Sequence, residues 1–284
     1  MQRLRIKHLT EYHYPAQVML NRHRLLLRPR EGHDVRIESS KLVISPAYSI
    51  QWQRDVLDNS LAIVHFFAPT NQLTISSEVI IQHYERAPHE IKPAHASVQY
   101  PFNYGVHEQV DLAAFQTSMY LADQAMVQRW LQQFNLHGMD AFSLLMQLNQ
   151  TISQQFRYQI REEIGVQSPA ATLNKKSGSC RDYATLLIEA CRYLGLASRF
   201  VSGYLHAPAT EVGNATTHAW VEVYLPNSGW QGFDPTSGEV VGNRHIAVAV
   251  ARDPESVSPV SGSFVGVGLM TPLMVVNVQV NLIT

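Results

Sequence analysis

The sequence has little cysteine, no long apolar run and no excess of charge, and each absence excludes a class of protein. Only two cysteines, Cys180 and Cys191, occur among the 284 residues. Both fall within one predicted helix, about 16 Å apart along its axis, which exceeds the ~7 Å reach of a disulfide. We therefore expect the two cysteines not to pair with each other, as is typical in a reducing compartment.

Long apolar segments are also missing. No stretch approaches the roughly 18 apolar residues of a transmembrane helix, so we predict no membrane partner. The opening residues, MQRLRIKHLTEYHY, alternate polar and apolar side chains and lack the apolar core of a signal peptide. These patterns predict a cytoplasmic protein.

Charge is balanced, with 22 Lys and Arg against 23 Asp and Glu and a net charge of -1. Nucleic-acid-binding proteins usually carry a basic excess, so we expect no nucleic-acid partner. The 13 histidines are scattered, and the sequence contains neither paired cysteines nor an H-E-x-x-H spacing. We therefore expect no metal and no cofactor, and a zinc hydrolase is the weakest candidate. The sequence leaves the oligomeric state open.

Residues 1–86 have the pattern of a β-domain. Short apolar runs at 42–44, 61–64 and 79–81 are separated by Pro, Gly, Asp and Asn. Short strands at regular spacing favour an antiparallel β-sandwich or barrel. Residues 87–110 begin with a segment rich in proline and histidine and are predicted to be a linker.

At Asp111 the apolar spacing becomes helical. The pattern predicts a helix that ends near Phe156 with Asp140 as its N-cap, and a second that starts at Ser168-Pro169. A third helix is indicated by one apolar face, formed by Tyr183, Leu186, Leu187, Ala190, Cys191 and Leu194. Strands are predicted at 199–205, 217–225, 229–234, 245–250 and 275–283. The fold class is therefore α+β, with a core at 111–256 and a C-terminal strand tail at 257–284.

Cys180 is the first candidate catalytic residue. The segment Ser177-Gly178-Ser179 predicts the start of the third helix, which places Cys180 in its first turn. The unpaired N–H groups and the dipole at a helix start favour the thiolate, the nucleophilic form of cysteine. The alternative is a small buried apolar residue, and this is how we interpret Cys191 in the middle of the helix.

His218 and Asp234 are the other two candidates. His218 opens one predicted strand and Asp234 ends the next, and the turn at 226–229 makes these strands neighbours. Each residue has an ordinary alternative, since isolated histidines are common and Asp before Pro235 is typical of turns. Together with Cys180 they supply the nucleophile, the base and the orienting carboxylate of a generalised triad.

Several blocks of sequence resemble the transglutaminase-like superfamily. The core blocks lie in that family's order and near its spacing: G-S-C-R-D-Y-A at 178–184, R-F-V-S-G-Y at 199–204, H-A-W-V-E-V at 218–223 and G-W-Q-G-F-D-P-T at 229–236. Four further blocks are similar to its bacterial two-domain branch, which has an N-terminal β-domain: H-L-T-E-Y-H-Y at 8–14, L-R-P-R at 27–30, A-V-A-R-D at 249–253 and S-P-V-S-G at 258–262.

The resemblance implies a papain-like, transglutaminase-like core with Cys, His and Asp in the order of Cys180, His218 and Asp234. It also implies hydrolysis of amide or peptide bonds in a peptide or protein substrate through an acyl-enzyme, since bacterial members are commonly called cysteine proteases.

Three more residues are candidates for the same site. Tyr158 is a candidate second donor to the oxyanion, beside the backbone N–H of Cys180. Trp220 and Trp230 are candidates for lining the substrate cleft. The alternative for all three is a place in the hydrophobic core, where aromatic side chains dominate the buried contacts.

Two other functions would retain the same residues. A transglutaminase would transfer the acyl group from glutamine to an amine instead of water. A catalytically inactive binding module would retain the fold alone, but the presence of all three triad residues argues against it. We favour hydrolysis because the sequence does not resemble the large multi-domain cross-linking enzymes, while the choice between water and an amine stays open.

Overall fold

The computed structural model describes residues 1–84, 98–136, 138–161, 163–206, 217–267 and 271–283. The proline- and histidine-rich part of the predicted linker, with Pro88 and Pro93, lies outside these residues. None of the described helices combines the length and the apolar character that a membrane span requires. The helices are α1 Val106–Gln116, α2 Gln124–Leu131, α3 Ala141–Gln155, α4 Pro169–Lys175 and α5 Cys180–Tyr193.

Strands form both ends of the chain and the second half of the core. The first six are β1 Gln2–Leu20, β2 His23–Leu25, β3 Val35–Ser45, β4 Tyr48–Arg54, β5 Ser60–Phe66 and β6 Thr70–His83. Those of the core are β7 Arg157–Tyr158, β8 Ser177–Gly178, β9 Ser198–Leu205, β10 Thr217–Leu225, β11 Gly229–Asp234, β12 Glu239–Val240 and β13 His245–Ala251. The last three are β14 Val260–Ser261, β15 Phe264–Val265 and β16 Leu273–Leu282.

The N-terminal strands form two antiparallel sheets, which confirms the predicted β-sandwich. One sheet has the order β15-β1-β6-β3, with β16 also paired to β1, and the other has the order β14-β2-β5-β4. Buried and partly exposed side chains alternate along β6, as expected of a strand with one face on a core. Apolar side chains from both sheets fill the space between them, among them Tyr14, Leu27, Val64 and Ile75.

The C-terminal tail belongs to this sandwich. β16 runs antiparallel along β1 from the pair Leu4–Leu282 to the pair His13–Leu273. β14 pairs with β2, and β15 pairs with the end of β1. The first and last segments of the chain therefore complete one domain, with the helical core between them in sequence.

The core is a five-stranded antiparallel sheet, in the order β12-β11-β10-β9-β13, with helices packed against it. This confirms the predicted α+β class. β10 and β11 have the predicted bounds, and Asp140 and Ser168 cap α3 and α4 as predicted. Helix α1 begins at Val106 rather than at Asp111, because Glu108 accepts the backbone N–H of Gly105 and caps the helix start.

The sandwich and the core meet at strand β13. The side chain of Asn59 donates to the carbonyl of Val250 and accepts from its N–H, both at 2.8 Å. The backbone N–H of Arg30 donates to the carbonyl of Ala247 at 2.8 Å. Since Asn59 is fully buried, these bonds fix the edge strand of the core sheet to the N-terminal domain.

The packing of β9 against β10 gives a stability prediction. A Cβ on Gly203 would lie 2.3 Å from the carbonyl oxygen of Ile246 and 2.6 Å from the ring of Trp220. Gly203→Ala should therefore lower the free energy of unfolding by about 1–3 kcal/mol through overpacking, measured as denaturant unfolding. Gly105→Ala is the control, because its Cβ would meet only a flexible side chain at 3.4 Å. Equal effects of the two changes would contradict this.

Candidate active site

Cys180 is the first residue of helix α5, and a capping box fixes that helix start. Ser179 is the N-cap, and its backbone N–H and its hydroxyl donate to Oδ2 of Asp182 at 2.8 and 2.9 Å. The backbone N–H groups of a first helical turn have no acceptor within the helix. Cys180 therefore lies beside backbone N–H groups that have no acceptor within the helix, as its place in the sequence predicted. Its exposed fraction is 8%.

Asp182 is fully buried and anchors this helix start to the preceding loop. Its Oδ1 accepts from the backbone N–H of Gln167 at 2.7 Å and from Arg161 at 2.8 Å. Burial alone would raise the pKa of Asp182, but these hydrogen bonds and those of Ser179 hold it below its usual range. Asp182 stays charged, and the loop that carries Gln167 and Arg161 is held against the nucleophile.

His218 and Asp234 meet on neighbouring strands, β10 and β11. Nε2 of His218 lies 2.9 Å from Oδ2 of Asp234, and both side chains are buried. Cys180 lies close enough to His218 to contribute to raising its pKa. Because Nε2 is engaged by Asp234, Nδ1 is the ring nitrogen that remains for the sulfur. The structure thus brings together the three residues of the predicted triad.

The carboxylate of Asp234 keeps His218 protonated. Burial by itself lowers the pKa of His218, but the charge and the hydrogen bond of Asp234, with a smaller contribution from Cys180, raise it to about 10. Burial would likewise raise the pKa of Asp234, and the pairing with His218 holds it well below its usual range. The pair is therefore an imidazolium and a carboxylate at neutral pH.

Asp234 has two further partners. Its Oδ1 accepts the backbone N–H of Thr236 at 2.8 Å, and its Oδ2 also accepts from Nε2 of His245 at 3.2 Å. His245 is the first residue of β13 and 4% exposed. The sequence pattern predicts a strand at His245 but gives this residue no role, because the pairing of β13 with β9 that brings it here is not a local signal.

The side chains of His218, Asp234 and His245 are close enough together to hold a metal ion. The candidate ligand atoms of His218, Asp234 and His245 lie within 4.8 Å of one another. Yet the two Nε2 atoms are already hydrogen-bonded to the carboxylate. A metal would need these nitrogens without their protons, so the arrangement fits a hydrogen-bonded network better than a metal site.

Tyr158 reaches the nucleophile through a short parallel pairing. β7 pairs with β8, so that Tyr158 lies opposite Gly178, two residues before Cys180. Tyr158 lies close enough to Cys180 for the two groups to interact electrostatically. Burial and then the nearby Cys180 raise the pKa of Tyr158 well above its usual value. Tyr158 therefore keeps its proton and is available as a hydrogen-bond donor at this position.

The two tryptophans proposed for the cleft lie in different places. Trp220 is 1% exposed, with its ring centre 6.1 Å from that of His218 and 5.2 Å from that of His245. Trp230 instead packs against Phe115 and Tyr224 with Arg199 above its ring. Because β11 runs about 13 Å from Trp230 to Asp234, the structure does not bring Trp230 to the triad.

Comparison with known proteins assigns the family. Residues 128–235 match the family model described as the transglutaminase-like superfamily, and residues 4–82 match the bacterial transglutaminase-like N-terminal region. The chain belongs to the transglutaminase-like superfamily. The first model covers the triad from Cys180 to Asp234, and the second covers most of the sandwich.

Proteins similar to this transglutaminase-like chain cover it to different extents. An uncharacterized protein of Mycobacterium tuberculosis is 27% identical, over 92% of this chain and 87% of the relative. A protein-glutamine gamma-glutamyltransferase of Pseudomonas aeruginosa is 36% identical over 67 residues, 22% of this chain and 10% of that protein. The structure of a proposed cysteine protease from Cytophaga hutchinsonii has the same fold, with a TM-score of 0.79, 17% identity and coverage of 100% and 91% of the two chains.

The pKa of His218 in this transglutaminase-like core gives a prediction that needs no substrate. Asp234→Asn removes the charge that raises the pKa to about 10, while burial continues to lower it. The pKa of His218 should therefore fall to or below its ordinary value of about 6.5. NMR titration of the histidine rings measures this. Asp140→Asn is the control, because Asp140 is a carboxylate of the same core that caps helix α3. An unchanged value in Asp234→Asn would contradict the assigned pairing.

Proposed function

We propose that the chain is a cysteine peptidase or amidase, which hydrolyses an amide bond of a peptide or protein substrate through an acyl-enzyme on Cys180. The observation that carries the proposal is the proximity of Cys180, at the start of helix α5, to a buried His218 that is hydrogen-bonded to Asp234. Membership of a superfamily that includes cysteine proteases and transglutaminases supports it. The cytoplasmic location expected from the sequence stays a prediction.

In the acylation step, the sulfur of Cys180 attacks the carbonyl carbon of the substrate. The imidazolium of His218 then gives its proton to the amine as the C–N bond breaks, so that a neutral amine leaves. Asp234 keeps the ring oriented and stabilises its charge. The carbonyl oxygen, negative in the intermediate, would accept hydrogen bonds from the N–H of Cys180 and the hydroxyl of Tyr158.

In the second step the acyl group leaves Cys180. His218, now neutral, accepts a proton from a water molecule, whose oxygen attacks the thioester carbon and releases the acid. The same geometry can accept an amine in place of water, which would make the enzyme a transglutaminase. The local similarity to a protein-glutamine gamma-glutamyltransferase supports the transglutaminase alternative.

The two cysteines allow a matched test of the nucleophile. Cys180→Ala should abolish hydrolysis of a peptide library, because no other sulfur lies at the triad, and should leave the melting temperature nearly unchanged. Cys191→Ala should keep the activity, since Cys191 is fully buried and burial raises its pKa to about 12. Iodoacetamide should label Cys180 much faster than Cys191 at neutral pH, and equal rates would favour an inactive binding module.

Water and an amine are distinguished by the products. The protein is incubated with a glutamine-containing peptide and a fluorescent primary amine. Mass spectrometry then measures the amounts of hydrolysed peptide and of amine-labelled peptide. We expect cleaved or deamidated peptide in excess over labelled peptide. Labelled peptide as the main product, lost in Cys180→Ala, would instead establish acyl transfer.

Tyr158→Phe tests the oxyanion donor. Removal of one such donor lowers kcat by about 10²-fold in other enzymes, and we expect a loss of this order with little change in KM, because the hydroxyl acts in the transition state. Tyr193→Phe is the control, since Tyr193 lies at the end of helix α5 that is far from Cys180. If Tyr158→Phe weakens substrate binding, seen as a higher KM, and leaves kcat unchanged, Tyr158 does not have this role.

A further inference from the structure

The second histidine on Asp234 has a defined hydrogen-bonding state. Nδ1 of His245 lies 3.4 Å from the backbone N–H of Gly242 and accepts from it. The ring proton must therefore lie on Nε2, where it is donated to Oδ2 of Asp234 at 3.2 Å. Burial, and then the charge of the protonated His218, lower the pKa of His245 despite Asp234. His245 is thus a neutral donor, whereas His218 carries the charge.

A buried carboxylate that serves a catalytic histidine has to be held from more than one side. Asp234 is 1% exposed, so water does not supply the hydrogen bonds that its oxygens require. Its Oδ1 is held by the backbone N–H of Thr236, and its Oδ2 is shared by the two histidines. Without His245, the only remaining partner of Oδ2 among the described residues would be His218.

The position of His245 is itself fixed by the surrounding structure. Its backbone N–H bonds to the carbonyl of Gly242, and Trp220 packs edge-on against its ring. The strand that begins at His245 is tied to the sandwich by the two bonds between Asn59 and Val250. The charged or titratable groups that act on the ring of His245 are Asp234, His218 and Arg244. The charge of His245 in turn lowers the pKa of His83 in the sandwich.

We infer that His245 is a positioning residue of the site, which holds the carboxylate of Asp234 against His218 as an anion and so keeps His218 in its charged, correctly oriented state. The inference rests on the proposed function, because it gives His245 a role only if the triad is catalytic. His245 touches no reacting atom and acts through Asp234.

The test compares three variants of the full chain. His245→Leu keeps the bulk and removes the donor. His245→Gln places an amide N–H near the former Nε2, and His245→Asn is one methylene too short to do so. His23→Leu is the matched control, because His23 is a buried histidine of the sandwich that bonds the carbonyl of Asn21.

The readouts are the rate at which iodoacetamide alkylates Cys180, the NMR pKa of His218 and the melting temperature. In His245→Leu we expect the alkylation rate at neutral pH to fall about tenfold or more, the loss typical of a hydrogen bond to a charged group, together with a lower pKa of His218. His245→Gln should recover most of both, and His245→Asn should not. A purely structural role would change the melting temperature and leave the pKa of His218 in place.

Each outcome is decisive. A folded His245→Leu with the wild-type rate and pKa of His218 overturns the positioning role while the triad stands. If His245→Leu does not fold, equal values for the Gln and Asn variants overturn it. If Cys180 of the wild type reacts no faster than Cys191, the proposed function itself fails, and the role of His245 fails with it.

Discussion

The site depends on one buried negative charge. Asp234 is almost completely removed from water, and burial of a carboxylate is costly unless donors surround it. His218, His245 and the backbone of Thr236 supply these donors. The contact with His218 acts in both directions, because the charge of Asp234 raises the pKa of His218 while the charge of His218 lowers the pKa of Asp234. The three partners lie on or just beyond strands of one sheet, which is why the sheet order matters to the reaction.

A second buried carboxylate does the corresponding work for the sulfur. Asp182 closes the capping box of helix α5 and receives Gln167 and Arg161 from the preceding loop. Cys180 is therefore held by a helix start that the capping box and the preceding loop fix in place. Gly178 is required here because a Cβ would lie 2.8 Å from that of Asp182. One buried carboxylate thus fixes the helix start that carries Cys180, and the other holds the ring of His218.

Local patterns predicted the parts of the site that depend on neighbours in sequence. The helix start at Cys180 and the hairpin from His218 to Asp234 follow from caps, turns and strand period, and the structure has them at the predicted positions. The contacts of His245, Arg161 and Gln167 depend on which distant segments pair, and no spacing in the sequence encodes that. The same reason explains Trp230, whose residue type suggested a cleft but whose place along β11 puts it at the other end of the hairpin.

The closure of the sandwich by the last strand has a consequence for synthesis on the ribosome. β1 emerges before the helical core, yet its partner β16 emerges only after that core. Until β16 emerges, the backbone N–H and C=O groups along one edge of β1 lack their strand partner. Exposed strand edges of this kind favour association with other chains. Three of the four pairs in the core sheet join consecutive strands, and only the pair of β9 with β13 does not. The core sheet can therefore form before β16 emerges, and the N-terminal domain is completed after it.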